Sequence, residues 1–422
     1  MAATSPAYRS HVAIIGGATA GAEAADKLAS EGALCVVFEQ NDRPYGKVED
    51  GLPRWHAALR RKEYELIDTK LSRDGVHFVP RTAIGRDVHF EDLLRAWGFD
   101  LIVLANGAWR DRPLPVDGAD AYVGRGLVYQ NPLIYWFNHH HEPGYAGARY
   151  EIPDGALVIG GGLASIDVVK VLQLVKVRDA LAARGIEQDL LAMEAKGIPD
   201  TLAKHGLTWD DLGLQGCTLV YRRRIEDMPL TEPPPPGRPD DAVKSATVRR
   251  KILEKAQSKF LFRVEPLATP TGLIVEGDRL VGMRFARTRV DEGGSVDVVP
   301  GAELELRAPL VVSSIGSIPE PIQGLGMHGE LLRIEDHERG KIADFEHVFG
   351  CGNVITGKGN LVASRRHSGQ VAAHLVQRFN GGTRPGEHTA ELLDRVRERQ
   401  RHVGFDGDYR AWIERVRPDG SS

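Results

Sequence analysis

Apolar residues in this chain come in short runs that break at glycine. His11-Val12-Ala13-Ile14-Ile15 is apolar and partly β-branched, the pattern of a strand buried on both faces of a parallel sheet. It runs straight into Gly16-Gly17-Ala18-Thr19-Ala20-Gly21, and an alanine-rich helix is predicted over 22–30. A second apolar strand over 34–38 ends at Glu39, which completes a βαβ unit. The order then returns. A strand over 156–159 leads into Gly160-Gly161-Gly162-Leu163-Ala164-Ser165, a helix begins at Ile166, and the next strand covers 218–221. Two strand–glycine turn–helix units predict two nucleotide-binding domains.

The connection inside the second unit is long. It carries helical periodicity over 168–181 and 189–195, then a polar loop with Pro199, and reads as an insertion. Prolines over 233–236, with Pro239 close by, predict a polyproline-like surface stretch. A helix is expected over 247–259, followed by strand-like segments at 273–275, 280–287 and 304–306. The turn Glu292-Gly293-Gly294 separates the last two. The apolar run 310–316 reads as a strand returning towards the first domain. The tail from Arg384 is charged and helical, with Trp412 as its main apolar anchor.

The glycine turns carry the chemistry. Gly16, Ala18 and Gly21 occupy the positions of a G-x-G-x-x-G turn, where backbone and helix N–H groups approach a pyrophosphate. Alanine at the middle position adds a methyl where glycine is usual. Glu39, at the end of the next strand, suits ribose hydroxyls of an adenosine with a free 2′-OH. The bland alternative is a tight turn that packs a helix on a sheet. The second turn, Gly160-x-Gly162-x-x-Ser165, is followed by a strand ending in Tyr221-Arg222-Arg223-Arg224. Guanidinium groups there can pair with a 2′-phosphate, so NADP(H) is expected in preference to NAD(H); a solvated basic run is the alternative. Opposite charge signatures suggest FAD in the first site and NADPH in the second, since a flavin takes a hydride and releases electrons singly.

Composition narrows the classes. Of 422 residues, 42% are apolar and 27% charged, which fits a globular chain of two or three domains. The formal charge of −4 gives no general affinity for nucleic acid. No apolar run reaches the roughly 18–20 residues that span a bilayer, and the N-terminal stretch has no signal-like apolar core. A cytoplasmic location is expected. The only cysteines, Cys35, Cys217 and Cys351, have no C-x-x-C spacing. That argues against a disulfide framework, a zinc site, a cluster on this chain or a redox dithiol. No metal is expected.

Further segments resemble the adrenodoxin-reductase-type ferredoxin–NADP⁺ reductases, within the two-dinucleotide flavoprotein group that includes the glutamate synthase small subunit. Pro44-Tyr45-Gly46-Lys47-Val48, then Gly51 and His56, is similar to the family's segment beside the flavin ring. The run 99–108, ending Ala105-Asn106-Gly107-Ala108, looks like the turn that closes the first FAD half. Trp136-Phe137-Asn138 with Pro143 resembles the entry to the NADP lobe. Tyr221-Arg222-Arg223 with Met228-Pro229 is closer to the glutamate synthase subunit, and the long insertion is closer to the adrenodoxin-reductase type. The runs 348–353 and 357–360, followed by a helix over 364–379, look like the last FAD segment. Asn353 and Leu163 depart from the family pattern.

The resemblance implies an α/β fold of two Rossmann-like domains. The FAD domain, 1–112 and 313–422, would be discontinuous, with the NADP lobe, 113–312, inserted. It implies FAD binding by Gly16, Ala18, Gly21, Glu39, Gln40, Gly46, Lys47, Val48, Asn106, Gly107, Gly352, Asn353, Gly359, Asn360 and Leu361. NADP(H) would be held by Gly160, Gly162, Leu163, Ala164, Ser165, Arg222 and Arg223. His56 aligns with a family histidine near the nicotinamide–flavin contact, and Glu232 with a glutamate of proton handling; a core histidine and a surface acid are the bland readings. Other tempting runs read first as surface features: His139-His140-His141, Arg365-Arg366-His367 and Arg60-Arg61-Lys62. The last would suit an acidic protein partner.

The expected activity is NADPH oxidation with electrons passed through FAD to a ferredoxin-like iron–sulfur protein or a flavodoxin. Two alternatives stand beside it: the NADPH-oxidising subunit of a larger complex, and a flavoprotein acting on a small organic substrate. The iron–sulfur extension that such subunits carry before the first strand is not expected here.

Overall fold

The computed structural model describes residues 8–232, 234, 239–291, 293–357, 359–379 and 388–417. Most of the proline run, Glu292, Lys358 and the start of the charged tail therefore lie outside the described residues. The chain divides into two compact units. The first comprises 1–110, 141–144 and 317–422, and the second comprises 111–140 and 145–316.

In the first unit, Ser10–Ile15 is the middle of a parallel array. It pairs on one side with Ala33–Phe38 and on the other with Leu101–Leu104. Val76–Val79 and Val348–Gly350 extend the array outward, and two short antiparallel strands, Lys341–Ile342 and Ile334–Asp336, close one edge. The near-continuous apolar runs follow from burial on both faces. Val12, Ile14, Cys35 and Val37 belong to one core cluster, with Leu28 of helix Thr19–Ser30 and Leu375 of helix Leu361–Phe379. Ala13, Ile15, Leu34 and Val36 belong to another, with Leu93 and Leu392.

The second unit holds a five-stranded parallel sheet in the order Leu127–Tyr129, Val311–Ser314, Leu157–Gly160, Thr218–Tyr221, Arg263–Pro266. A three-stranded antiparallel sheet follows, of Ala268–Glu276, Arg279–Val290 and Val296–Arg307.

Several elements differ from the sequence expectation. The first helix starts at Thr19, three residues early, because Ala18 is its extended N-cap and supplies no capping side chain to mark the start. The turn helix and the periodicity at 168–181 are one helix, Leu163–Ala182, so the insertion begins only after it. The helix expected over 247–259 extends from Pro239 to Phe260. The run 310–316 does not return to the first domain's sheet. Val311 to Ser314 are all buried and are hydrogen-bonded between two strands of the second unit, so the expected boundary at 312/313 cuts a central strand. The strand Val76–Val79 is not predicted by the sequence pattern, since His77 interrupts its apolar run.

Candidate functional site

The carboxyl ends of the parallel strands in the first unit open on a cavity of about 480 Å³. Gly16 forms the turn after the first strand at φ +98°, and a Cβ there would stand 2.8 Å from the Ala105 carbonyl oxygen. Gly21 lets the helix close on the strand, since its Cβ would lie 1.9 Å from the Gly16 carbonyl oxygen. Ala18, Thr19 and Ala20 therefore bring an uncapped helix N-terminus to the cavity wall.

The methyl of Ala18 is accommodated by Gly46, which sits at φ +51°; a Cβ on Gly46 would be 2.9 Å from Ala18 Cβ. The departure from glycine at the middle position is thus matched by a glycine across the cavity mouth.

Glu39 is buried at the end of the second strand. Its Oε2 accepts the Gly17 N–H at 2.9 Å and its Oε1 accepts the Asn41 N–H at 3.0 Å. Burial pushes its carboxyl up to about 7, although those backbone bonds favour the charged form. Lys47 Nζ donates to Ser317 Oγ at 2.9 Å and lies 5.8 Å from the Trp109 ring centre. At the far end of the chain, Gly352 at φ +71° packs against Ala20, and its N–H donates to Nδ1 of the buried His367 at 3.1 Å. His367 Nε2 then donates to the His337 carbonyl at 2.9 Å, which fixes the orientation of the ring beneath the segment. Arg365, of the run Arg365-Arg366-His367, pairs with buried Glu63, while Arg366 is exposed.

The cavity gathers residues from three distant stretches. Gly16, Ala18, Glu39, Gln40, Gly46, Lys47 and Val48 line it, with Asn106, Gly107, Asn353, Gly359, Asn360 and Leu361. Gly21 and Gly352 are not on its wall; both act in the packing behind it. His56, half-buried in the short turn Arg54–His56, is also off the wall. The cavity wall further includes 82–86 and 320–323, which the sequence pattern does not mark. Residues 82–86 follow the third parallel strand, so locating that strand would have found them. The 320–323 stretch carries no local signal.

In the second unit the turn after Leu157–Gly160 is tighter. A Cβ on Gly160 would lie 2.3 Å from both Ser165 Oγ and the Ser314 carbonyl oxygen, and one on Gly161 would meet the Tyr221 ring at 2.2 Å. Ser165 Oγ donates to the Ser314 carbonyl at 3.0 Å. Gly162 opens outward, with nothing nearer than Pro229 Cγ at 3.9 Å, and is the uncapped N-cap of Leu163–Ala182. Leu163 and Ala164 are exposed there. Arg222 is exposed and Arg223 half-buried, whereas Arg224 is engaged with Asp227 at 2.8 Å. Glu232 is exposed. Of the three adjacent histidines, His140 Nδ1 donates to the Trp136 carbonyl at 2.9 Å and His141 Nδ1 meets Arg54 at 2.9 Å. Among the described residues, no helix is long and apolar enough to cross a membrane.

No family model matches the chain. The glutamate synthase [NADPH] small chain of Mycobacterium tuberculosis (strain CDC 1551 / Oshkosh) is 37% identical over 382 residues, covering 88% of this chain and 67% of that one. The chain belongs to the two-dinucleotide flavoprotein family of the glutamate synthase small chain. Cindoxin reductase of Citrobacter braakii is 30% identical over 194 residues, 44% of this chain and 39% of that one. The chain thus spans about two fifths of the length of that relative. The structure of FprA from Mycobacterium tuberculosis in complex with NADPH superposes with a TM-score of 0.71 at 19% identity, covering 93% and 90% of the two chains, and shows the same fold.

The cavity fits the dinucleotide that such a flavoprotein carries. Asn106 Oδ1, Asn353 Oδ1 and Thr19 Oγ1 are buried at its wall without a hydrogen-bond partner among the described residues. A buried polar oxygen left unpaired is costly, and a polar ligand would satisfy all three.

Proposed function

We propose that the chain is an FAD-dependent oxidoreductase that oxidises NADPH and hands electrons to a small iron–sulfur protein. The observation that carries this reading is the pair of strand–glycine turn–helix sites with opposite charge, Glu39 at one and Arg222 with Arg223 at the other. The first unit would bind FAD and the second NADP(H). Bound FAD would supply acceptance of a hydride and single-electron release.

The chain's own groups hold and orient. Gly16, Ala18, Glu39, Gln40, Gly46, Lys47, Val48, Asn106, Gly107, Asn353, Gly359, Asn360 and Leu361 would contact FAD, with Gly21 and Gly352 setting the backbone behind them. Gly160, Gly162, Leu163, Ala164 and Ser165 would receive the second pyrophosphate, and Arg222 and Arg223 its 2′-phosphate. His56 and Glu232 would serve proton handling. Arg61 and Lys62, exposed on helix Ala57–Leu71 beside the half-buried Arg60, would meet an acidic partner.

Purified protein is expected to be yellow or to take up FAD with flavin absorbance; a chain that does neither sinks the proposal. Arg222→Ala with Arg223→Ala should weaken NADPH binding by about 1.5–3 kcal/mol and leave NADH nearly unchanged. Equal losses for both nucleotides would remove the arginines from 2′-phosphate recognition. NADPH oxidation with a panel of ferredoxins and flavodoxins, beside ferricyanide, tests the acceptor.

A second reading is favoured by one observation, the 37% identity to a glutamate synthase small chain over 88% of this chain. On that reading the protein is the NADPH-oxidising subunit of a larger complex. Co-purification with a large partner would support it, and full activity as an isolated chain would support the free reductase.

A further inference from the structure

The segment 39–46 leaves the strand Ala33–Phe38 and reaches the short helix Lys47–Asp50 through bends and turns only. Glu39, Gln40, Gly46, Lys47 and Val48, at its two ends, line the cavity. Its middle is held from the other end of the chain. Trp412 Nε1 donates to the Asp42 carbonyl at 2.8 Å, and the Arg43 guanidinium donates to the Val416 carbonyl at 2.8 Å. Tyr45 Oη and Tyr409 Oη both donate to Asp68 Oδ1, at 3.1 and 2.7 Å. Three points of the segment are thus tied to the helix Tyr409–Val416, two directly and one through Asp68. No residue of that helix lines the cavity.

An eight-residue helix is not stable by itself in water, so this one exists only as docked. Trp412 is 2% exposed, with the Arg81 and Arg415 guanidinium groups 5.1 and 4.7 Å from its ring centre. Docking of the helix and placement of the segment are therefore linked.

We infer that the helix Tyr409–Val416 is a remote positioning element of the cavity, holding 42–46 so that Gly46, Lys47 and Val48 face the dinucleotide. The inference rests on reading the cavity as the FAD site. Tyr409, Trp412 and Asp68 are positioning residues that touch no cofactor.

Tyr409→Phe and Trp412→Phe keep an aromatic ring in place and remove one hydrogen bond each. Titration of FAD-free protein with FAD, followed by flavin fluorescence, is expected to show a Kd raised about five-fold in each variant, the worth of one hydrogen bond. Amide exchange of the FAD-free variants should accelerate at 40–48 and stay unchanged in the second unit. Val396→Ala, on the buried face of helix Thr389–His402, is the control. It should lower thermal stability and leave the FAD Kd unchanged. Unchanged Kd and unchanged exchange at 40–48 in both Phe variants would overturn the inference, as would an equal rise in Kd with Val396→Ala. The exchange arm needs no flavin. Accelerated exchange in a chain whose wild type takes up no FAD would keep the link between helix and segment but overturn its role at a dinucleotide site.

Discussion

Single residues in the first unit combine packing with charge. Glu39 holds its proton to about pH 7 in the folded chain, whereas an unfolded chain releases it near 4.5. The folded state binds the extra proton between those values, so stability falls as pH rises through that window. Glu39→Gln removes the dependence. In FAD-free protein, the variant's stability relative to wild type should rise by about 2–3 kcal/mol between pH 5 and pH 8, read by urea denaturation. A flat difference would show that Glu39 ionises normally. The contact between Ala18 and Gly46 makes a second prediction. Gly46→Ala adds a methyl 2.9 Å from Ala18 Cβ at a left-handed backbone position, and should cost about 1–3 kcal/mol. Ala18→Gly in the same chain should recover part of that loss, leaving the backbone share. Ala18 was visible in the sequence as a departure, but its partner was not, because the two positions lie in different segments of the chain.

At the scale of elements, the two motif glycines of the second turn divide labour in a way their shared pattern hides. Gly160 and Gly162 are equivalent letters of one pattern, yet a Cβ on the first strikes backbone at 2.3 Å and one on the second meets nothing nearer than 3.9 Å. Gly160→Ala should therefore destabilise by at least about 2 kcal/mol. Gly162→Ala should change stability by less than about 1 kcal/mol while raising the Kd for NADPH about ten-fold, because its methyl occupies the anion's approach. Calorimetry of both variants, with and without NADPH, separates the two effects. The strand–turn–helix order was legible because buried parallel strands are apolar on both faces. Helix starts were not. Neither glycine-turn helix has a side-chain cap, so the usual start signal is missing where N–H groups are left available to an anion. The strand Val76–Val79 also escaped, and with it the 82–86 stretch of the cavity wall.

For the whole molecule, two units imply two ligand-dependent stabilities. FAD should slow amide exchange in peptides covering 10–48, 82–109 and 352–364, and NADP⁺ in peptides covering 157–182 and 218–232. Protection by FAD confined to the second group would reverse the assignment of the sites.

The sequence by itself determined the class of the chain: two glycine turns after apolar strands, an acid after one and arginines after the other, and too few cysteines for a cluster of its own. Those features are local, since turn conformation, strand burial and charge at a strand end act within a few dozen residues. Only the tertiary structure decided what stands opposite each local feature. It put Val311–Ser314 into the second unit's sheet, set Gly46 against Ala18, brought 82–86 and 320–323 to the cavity, and docked Trp412 on the carbonyl of Asp42. Each joins segments that no single motif spans, and is chosen by burial and hydrogen bonding that no local pattern encodes.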